Sequence, residues 1–259
     1  MADVLSAEGI AKSFGTHTII RDLTFAAHEG EFIAVVGPSG CGKTTLLMCI
    51  AGLLRTDAGR VEFEGHTITT PPPGLAVVFQ DYSRSLLPWQ SNMDNVVFGM
   101  KRLENVGSKE KHERATEILA SVGLKGFENH FPWQVSGGMQ QRVAIARALG
   151  ANSKLLLLDE PLAAVDAQTR ADMQDLLLVL AAKYKQTCLL VTHDVDEAVY
   201  LADRAIVLSH RPTKVIEEIA VPIPKPRDQI ATRADPVYLE LRAHILSRIK
   251  SMKAAAPIM

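Results

Sequence analysis

The most constraining feature of this sequence is a glycine-rich segment between a predicted buried strand and a predicted helix. Residues 31–36 form a short β-branched run, and apolar residues at helical spacing follow over residues 44–51. Residues 37–44 between them match the pattern G-x-x-x-x-G-K-[ST] at every fixed position. The sequence therefore predicts a phosphate-binding loop that leads from a strand into a helix.

Each part of this segment suits the binding of a polyphosphate. Glycines let the backbone wrap an anion with successive N–H groups pointing inward, and the start of a helix adds favourable potential. Lys43 can reach the β- and γ-phosphates of a nucleotide, and the Thr44 hydroxyl can ligate Mg²⁺. The pattern alone does not separate a kinase, a GTPase and a motor, and the alternative is a turn that binds nothing. We expect the nucleotide to contact Gly37, Pro38, Ser39, Gly40, Cys41, Gly42, Lys43, Thr44 and Thr45.

Two carboxylates follow a run of four leucines at residues 155–158. They are Asp159 and Glu160, at the carboxyl end of a predicted buried strand, where open α/β sheets place their ligands. Asp159 suits the binding of Mg²⁺ and its waters. Glu160 suits the polarisation of an attacking water, so it is the candidate general base. The alternative is a solvated helix cap, since Asp is a favoured capping residue.

Strands and helices alternate along most of the chain. Apolar runs typical of buried strands lie at residues 31–36, 77–79, 155–158 and 187–191. This alternation predicts an α/β fold with a mostly parallel sheet covered on both faces. The first thirty residues and residues 59–68 instead alternate apolar with polar side chains, which predicts an antiparallel β subdomain.

Two segments depart from the alternation. Residues 83–152 show helical patterns and no convincing strand, which predicts a helical subdomain inserted into the α/β core. After Ala220, three prolines at Pro222, Pro224 and Pro226 predict a stiff connector. Apolar residues at helical intervals then predict a helix over residues 235–250. We therefore divide the chain into an ATPase domain over residues 1–220 and a connector with a C-terminal helix over residues 221–259.

Charge and cysteine content narrow the possible partners and compartments. The 28 Lys and Arg residues balance 29 Asp and Glu residues, for a net charge of -1. Dedicated nucleic-acid binders usually carry a basic excess, so we expect no nucleic-acid partner. Three cysteines without metal-ligand spacing, Cys41, Cys49 and Cys188, predict a reducing, cytosolic compartment. No apolar run approaches the roughly 18 residues that a membrane span needs, so a membrane function would require another subunit as anchor.

Residues 135–142, Val-Ser-Gly-Gly-Met-Gln-Gln-Arg, resemble the signature motif of the ATP-binding-cassette (ABC) ATPases, usually Leu-Ser-Gly-Gly-Gln. The resemblance implies a RecA-like P-loop NTPase core that binds ATP and Mg²⁺ between two copies of the chain. In this family Ser136, Gly137 and Gly138 would face the γ-phosphate bound by the other copy. Val135 and Met139 depart from the usual Leu and Gln, and we expect Met139 to alter the rate of hydrolysis rather than abolish it. A serine hydroxyl is also absent at Ala163-Ala164.

Other positions match the family in order over about residues 3–220. The resemblance implies that Phe14 stacks on adenine and that Gln80 contacts Mg²⁺ and senses the transporter. It implies that Asp166 couples the two active sites and that His193 contacts the γ-phosphate. With Lys43 and Glu160, His193 completes the expected catalytic set. Lone residues of these types are more often core or surface residues, and it is the ordered series that favours function.

The segment after Gln80 contains Leu86-Leu87-Pro88-Trp89, which resembles importers of nitrate, sulfonate, taurine and bicarbonate. The resemblance implies a permease bound through a groove near Gln80, Leu87, Trp89 and Val96. It also implies a solute-binding protein outside the cell, and a peripheral location on the cytoplasmic face of the bacterial inner membrane. Trp89 is either an exposed anchor for the partner or a local core residue.

Other classes of P-loop protein remain as alternatives. The first is a non-transport ABC ATPase, such as a DNA-repair clamp or a translation factor. The chain has no sustained heptad pattern and only one cassette, which disfavours both. A P-loop kinase is disfavoured by the Ser-Gly-Gly signature and by His193.

Cys41 lies inside the phosphate loop, just before a helix N-terminus and close to Lys43. Both influences lower the pKa of a thiol and raise its reactivity. We therefore predict that maleimide modifies Cys41 first, that the modification blocks ATP hydrolysis, and that MgATP slows the reaction.

Overall fold

The computed structural model describes residues 3–81, 85–163 and 165–254, without the side chains of the last two. Residues 83 and 84, at the start of the predicted helical subdomain, and Ala164 lie outside the described residues. The strands are β1 (Asp3–Phe14), β2 (His17–His28), β3 (Phe32–Val36), β4 (Ala58–Phe63), β5 (His66–Thr67), β6 (Leu75–Val78), β7 (Leu155–Asp159), β8 (Thr187–Thr192), β9 (Arg204–Leu208) and β10 (Val215–Ala220). The helices are α1 (Lys43–Ile50), α2 (Asn92–Gly99), α3 (Ser108–Ser121), α4 (Gly137–Gly150), α5 (Ala167–Lys183), α6 (Val195–Leu201), α7 (Ala231–Ala234) and α8 (Pro236–Ala254).

Six strands form the central sheet, in the order β10-β9-β3-β8-β7-β6. All neighbouring strands are parallel except β10, which pairs antiparallel with β9. Every residue of β3, β7 and β8 is buried, because both faces of the sheet are covered. The predicted parallel α/β core is confirmed.

Alternate side chains of β3 point into two separate cores. Ile33 and Val35 pack with the β1–β2 hairpin and with α1. Phe32 and Val36 pack on the other face with the helices. A strand with this pattern must lie between two layers, since successive side chains of a strand point to opposite faces.

The predicted antiparallel subdomain is a four-stranded sheet with the order β2-β1-β4-β5. The β1 strand pairs antiparallel with both β2 and β4. Its apolar side chains, among them Leu5 and Ile10, lie in the same core as Leu46 and Leu47 of α1. The antiparallel sheet thus covers the same face of the central sheet as α1.

Helices α2, α3 and α4 follow one another between β6 and β7 and pack together. Asn95 of α2 is fully buried, and its side chain bonds to backbone groups of the preceding turn, at Leu87, Gln90 and Ser91. These bonds hold the polar side chain in an apolar setting without an unmet donor. The helical content agrees with the sequence prediction.

The segment after residue 220 packs on the main core. Tyr238 and Ile245 of α8 are buried in the same cluster as α4 and β3. The Arg227 guanidinium donates to the backbone carbonyls of Val199 and Tyr200 on α6. The division at residue 220 stays a prediction. In the described ranges, no helix combines the length and the apolar character that a membrane crossing requires.

Candidate functional site

The carboxyl ends of three adjacent strands place the predicted catalytic residues at one edge of the central sheet. Val36 of β3 lies opposite Thr192 of β8, and Asp159 of β7 lies opposite Val191. The phosphate loop, Glu160 and His193 therefore leave the sheet side by side. Residues separated by more than a hundred positions in the chain meet because parallel strands end together.

The phosphate loop needs glycine at specific positions. Gly40 and Gly42 have φ values of 72° and 115°, in the left-handed region. A Cβ atom on Gly42 would lie 2.6 Å from Cγ2 of Ile19. The Gly42 backbone thus approaches β2 more closely than any other residue would allow.

Lys43 crosses the inside of this loop. Its ammonium donates to the carbonyls of Gly37 and Pro38, both at 3.1 Å, and the residue is 5% exposed. In the part of the chain that the structure describes, no carboxylate lies within ion-pair distance of this ammonium. A buried cation that bonds only to neutral carbonyls gains strongly from an anion. The loop therefore fits a polyphosphate.

Thr44 and Asp159 supply hard oxygen atoms beside the loop. The Thr44 hydroxyl donates to Oδ1 of Asp159 at 3.2 Å. Burial raises the pKa of Asp159, and the nearby charge of Glu160 adds to this, while the Thr44 bond and Lys43 oppose it. A buried carboxylate with a raised pKa is stabilised by a cation, and oxygen ligands suit Mg²⁺. The residues present fit this metal.

Gln80 follows β6, whose Val78 pairs with Leu158 of β7. It is therefore placed at the same sheet edge as Asp159, with its side chain exposed. Phe14 ends β1 and is also exposed, with the Lys12 ammonium 5.6 Å from the ring centroid. Because the Phe14 ring is exposed at the end of β1, a planar group such as a base can stack on it.

Glu160 and His193 are in direct contact, with Oε2 of Glu160 and Nδ1 of His193 3.0 Å apart. Glu160 has a φ of 45°, unusual for a residue with a side chain. Its N–H donates to the Val191 carbonyl at 2.8 Å, which fixes this conformation. Strained backbone of this kind is concentrated at functional sites.

The signature residues and Asp166 lie together but away from Lys43. Ser136 caps α4 by accepting a bond from the Met139 N–H, and Asp166 caps α5 by accepting from the Thr169 N–H. These two helix starts line a cavity of about 600 Å³ that also includes Gly137 and Gly138. No residue of the phosphate loop lines it. One chain therefore does not bring these two sets of residues together.

Comparison with known proteins identifies the family. The Escherichia coli taurine import ATP-binding protein TauB is 40% identical over 258 residues, 97% of this chain and 99% of TauB. A family model described as ABC transporter matches residues 20–163. The chain belongs to the ABC transporter family. The family resemblance and fold class predicted from the motifs are thereby confirmed.

Two further relatives of this ABC transporter protein extend the comparison. An uncharacterised ABC transporter ATP-binding protein of Methanocaldococcus jannaschii is 45% identical over 231 residues, 89% of this chain and 84% of that protein. A solved dimeric ATP-binding cassette, bound to ADP and phosphate after hydrolysis, has a TM-score of 0.73 and 30% identity. The match covers 84% of this chain and 98% of that structure. As an ABC transporter subunit, the chain binds and hydrolyses ATP.

The structure contradicts the lowered pKa predicted for Cys41. This thiol is buried, and burial raises its pKa more than Lys43, the backbone N–H groups and Arg211 lower it. The prediction of a lowered pKa is therefore wrong. Desolvation outweighs the attraction of nearby positive charge.

The predicted permease groove is also partly corrected. Val96 is fully buried in the core, so it cannot contact a partner. Trp89 is 70% exposed, and the alternative that it is a core residue is wrong. Leu87 is partly buried and Gln80 exposed, so these three residues remain candidates.

The departures from the signature motif have different surroundings. Val135 is buried, so its replacement of leucine keeps an apolar side chain in the core. Met139 lines the cavity beside Ser136. A flexible apolar side chain there replaces a hydrogen-bonding one, and the expected change in rate stays a prediction.

Sequence reasoning missed residues that support the site from a distance. Thr213 is fully buried, and its hydroxyl donates to the Cys41 carbonyl in the phosphate loop. Arg170 and Glu197 lie behind the catalytic residues. No local pattern distinguishes these three from ordinary surface residues, because the contacts of Thr213 with Cys41 and of Arg170 with Glu197 join separate elements.

Proposed function

We propose that this ABC transporter ATPase drives the import of a small anion, such as taurine or another sulfonate, nitrate or bicarbonate. The observation that carries the proposal is its 40% identity to TauB over nearly the whole length of both chains. Similarity over this length is not confined to the nucleotide-binding motifs, which supports a shared type of partner. The segment at Leu86-Leu87-Pro88-Trp89 supports the same group of importers.

The site residues have complementary roles in this proposal. Lys43 and the loop N–H groups hold the β- and γ-phosphates, and Phe14 stacks on adenine. Thr44, Asp159 and Gln80 hold Mg²⁺, which when bound neutralises charge on the phosphates. Glu160 accepts a proton from the attacking water. His193 contacts the γ-phosphate and, through its bond to Glu160, holds that carboxylate in place.

The remaining ATP contacts come from a second copy of the chain. Ser136, Gly137, Gly138 and Asp166 face a cavity that contains no phosphate-loop residue, so another copy must supply the Lys43 loop opposite them. The helix start at Ser136 offers N–H donors and a hydroxyl to the γ-phosphate. The dimeric form of the solved relative bound to ADP and phosphate supports this arrangement.

Attachment to the membrane is through a permease. Trp89 presents a large apolar surface, with Leu87 and Gln80 nearby in the chain. Exposed aromatic residues are frequent anchors of protein interfaces. The subunit then lies on the cytoplasmic face of the bacterial inner membrane. A solute-binding protein outside that membrane delivers the anion to the permease.

Uptake measurements test this function. In cells that lack the gene, we expect loss of uptake for one of labelled taurine, nitrate or bicarbonate. Wild-type protein should restore it, and Glu160→Gln should not. Unchanged uptake of every tested anion would contradict the proposed solute class. If the protein also failed to co-purify with any permease, the non-transport alternative would be favoured.

A further inference from the structure

An ion pair lies close to the catalytic residues, outside the motif residues named above. Nε of Arg170 on α5 is 3.8 Å from Oε1 of Glu197 on α6. Glu197 is only 3% exposed. Burying a carboxylate is costly, and a buried ion pair is weak evidence of stabilisation on its own. Stability therefore does not explain why this ion pair is present, and its contacts with neighbouring segments indicate another role.

Glu197 fixes the turn that carries His193. Its Oε2 atom accepts a bond from the Thr192 hydroxyl at 2.7 Å. The same hydroxyl accepts a bond from the Asp194 N–H at 3.0 Å. The residues on both sides of His193 are thus tied to one buried carboxylate.

Arg170 fixes the segment that follows Glu160. Its Nε atom donates to the Leu162 carbonyl at 3.4 Å, and Nη2 donates to the Val165 carbonyl at 3.2 Å. Both carbonyls lie in the short stretch between Glu160 and Asp166. The two bonds use different nitrogens of the planar guanidinium, and its charge attracts the Glu197 carboxylate at 3.8 Å without a hydrogen bond.

These contacts close into a ring. Glu160 bonds to His193, Thr192 bonds to Glu197, and Glu197 pairs with Arg170. Arg170 in turn donates to the carbonyl of Leu162, two residues after Glu160. Two loops that leave different strands are therefore joined twice, once at the exposed site and once through the buried carboxylate of Glu197.

We infer that Arg170 and Glu197 are positioning residues that hold Glu160 and His193 in register for hydrolysis. This inference rests on the roles proposed above for Glu160 and His193. The contact between Glu160 and His193 is half-exposed, so the Arg170–Glu197 pair limits how far the two loops can separate. Misplacement of a catalytic group by about 1 Å can cost on the order of 100-fold in rate. Neither Arg170 nor Glu197 contacts the phosphate loop, so nucleotide affinity should be independent of them.

Steady-state kinetics of ATP hydrolysis by the full-length chain test the positioning role of Arg170 and Glu197. At pH 8, above the pKa of about 7 of Glu197, we expect Arg170→Ala and Glu197→Gln each to lower kcat between about tenfold and about 100-fold, with KM for ATP within about threefold. The double variant should be no slower than the worse single variant, because either change opens the same ring. Arg170→Lys should recover part of the rate by restoring the charge. Arg114→Ala is the matched control, since it removes an exposed ion pair with Glu110 and should leave kcat unchanged.

The outcomes separate a positioning role from a merely structural one. Loss of thermal stability with an unchanged kcat per folded molecule would overturn the inference, as would losses that multiply in the double variant. If Arg170→Ala does not fold, Glu197→Gln and Arg170→Lys decide by the same criteria. Glu160→Gln belongs in the series. If Glu160→Gln still hydrolyses ATP, both the proposed role of Glu160 and the inference about Arg170 and Glu197 are wrong. If Glu160→Gln is inactive while Arg170→Ala hydrolyses ATP at the wild-type rate, only the inference about Arg170 and Glu197 is wrong.

Discussion

The carboxylate of Glu160 and the imidazole of His193 meet at 3.0 Å, although they lie 33 positions apart in the chain. Each residue directly follows the end of a strand, β7 for Glu160 and β8 for His193. Their contact is a consequence of parallel pairing between those strands. The side chains of Glu160 and His193 can therefore be replaced without changing the pairing of the strands.

Replacing Glu160 by glutamine should separate ATP binding from hydrolysis. The amide keeps the shape of the carboxyl group and can still bond to His193, but it cannot accept a proton from water. We expect normal ATP affinity, loss of hydrolysis, and accumulation of an ATP-bound dimer. Size-exclusion chromatography with ATP measures the dimer.

Lys43→Ala serves as the contrasting variant. It removes the buried ammonium, so nucleotide affinity and activity should be lost together. A Glu160→Gln protein that binds ATP normally but remains monomeric would contradict the proposed dimer.

The cysteines should resist modification while the protein is folded. Cys41, Cys49 and Cys188 are all buried. Burial raises the pKa of Cys41, and it raises that of Cys49 to about 11. Thiolate, the reactive form, is therefore scarce at neutral pH. We expect maleimide to label the native protein at least about tenfold more slowly than the urea-unfolded chain, and full ATPase activity after brief exposure.

Mass spectrometry identifies which cysteine reacts. Rapid labelling of Cys41 in the native protein, with loss of ATPase activity, would restore the prediction made from its place in the phosphate loop. The unfolded chain is the control for reagent activity.

Trp89→Glu should disconnect the subunit from its permease. The side chain is exposed, so the variant should fold and bind ATP normally. Losing an aromatic anchor at an interface can cost ~2 kcal/mol or more, and a desolvated carboxylate adds to that. At ~1.4 kcal/mol per tenfold, affinity for the permease should fall at least ~30-fold. Co-purification from membranes measures this loss.

Ile230→Glu provides a matched control for the Trp89 variant. Ile230 is also an exposed large apolar residue, but it lies in the C-terminal segment. We expect it to co-purify at wild-type levels. Retention of the Trp89→Glu protein on its permease would place the interface elsewhere.

The buried carboxyl of Glu197 should make stability depend on pH. Burial raises its pKa from 4.5 to about 7, with the Thr192 bond, Arg170 and His193 opposing the shift and Asp194 adding to it. Between these two values the folded chain holds a proton that the unfolded chain releases. The contribution of Glu197 to stability therefore falls as pH rises through this window and is constant above it.

Glu197→Gln removes this titration while keeping a hydrogen-bond acceptor for Thr192. From pH 5 to pH 8, the variant should gain on the order of 2 kcal/mol in unfolding free energy relative to wild type. Urea unfolding of both proteins across this range measures the difference. A difference that does not change with pH would mean that Glu197 is ionised throughout.

The contiguous motifs of this protein could be predicted from the sequence. The strand, glycine turn and helix around Lys43 depend on backbone conformations that a few neighbouring residues determine. Apolar periodicity predicted the parallel core, the antiparallel sheet and the helical segment, because burial on one or two faces leaves a regular pattern. The family resemblance followed from the order of motifs along the chain.

Only the tertiary structure decided what depends on contacts between distant segments. The sequence placed Cys41 beside positive charge, but burial in the same core cluster as Leu208 and β2 determines its desolvation. Similarly, Val96 looked like a surface candidate until helix packing buried it. Arg170 and Glu197 carry no local sign of their partnership, since the fold alone brings α5 and α6 together. Solvent exposure and long-range pairing are properties of the packed molecule, so no local stretch of residues specifies them.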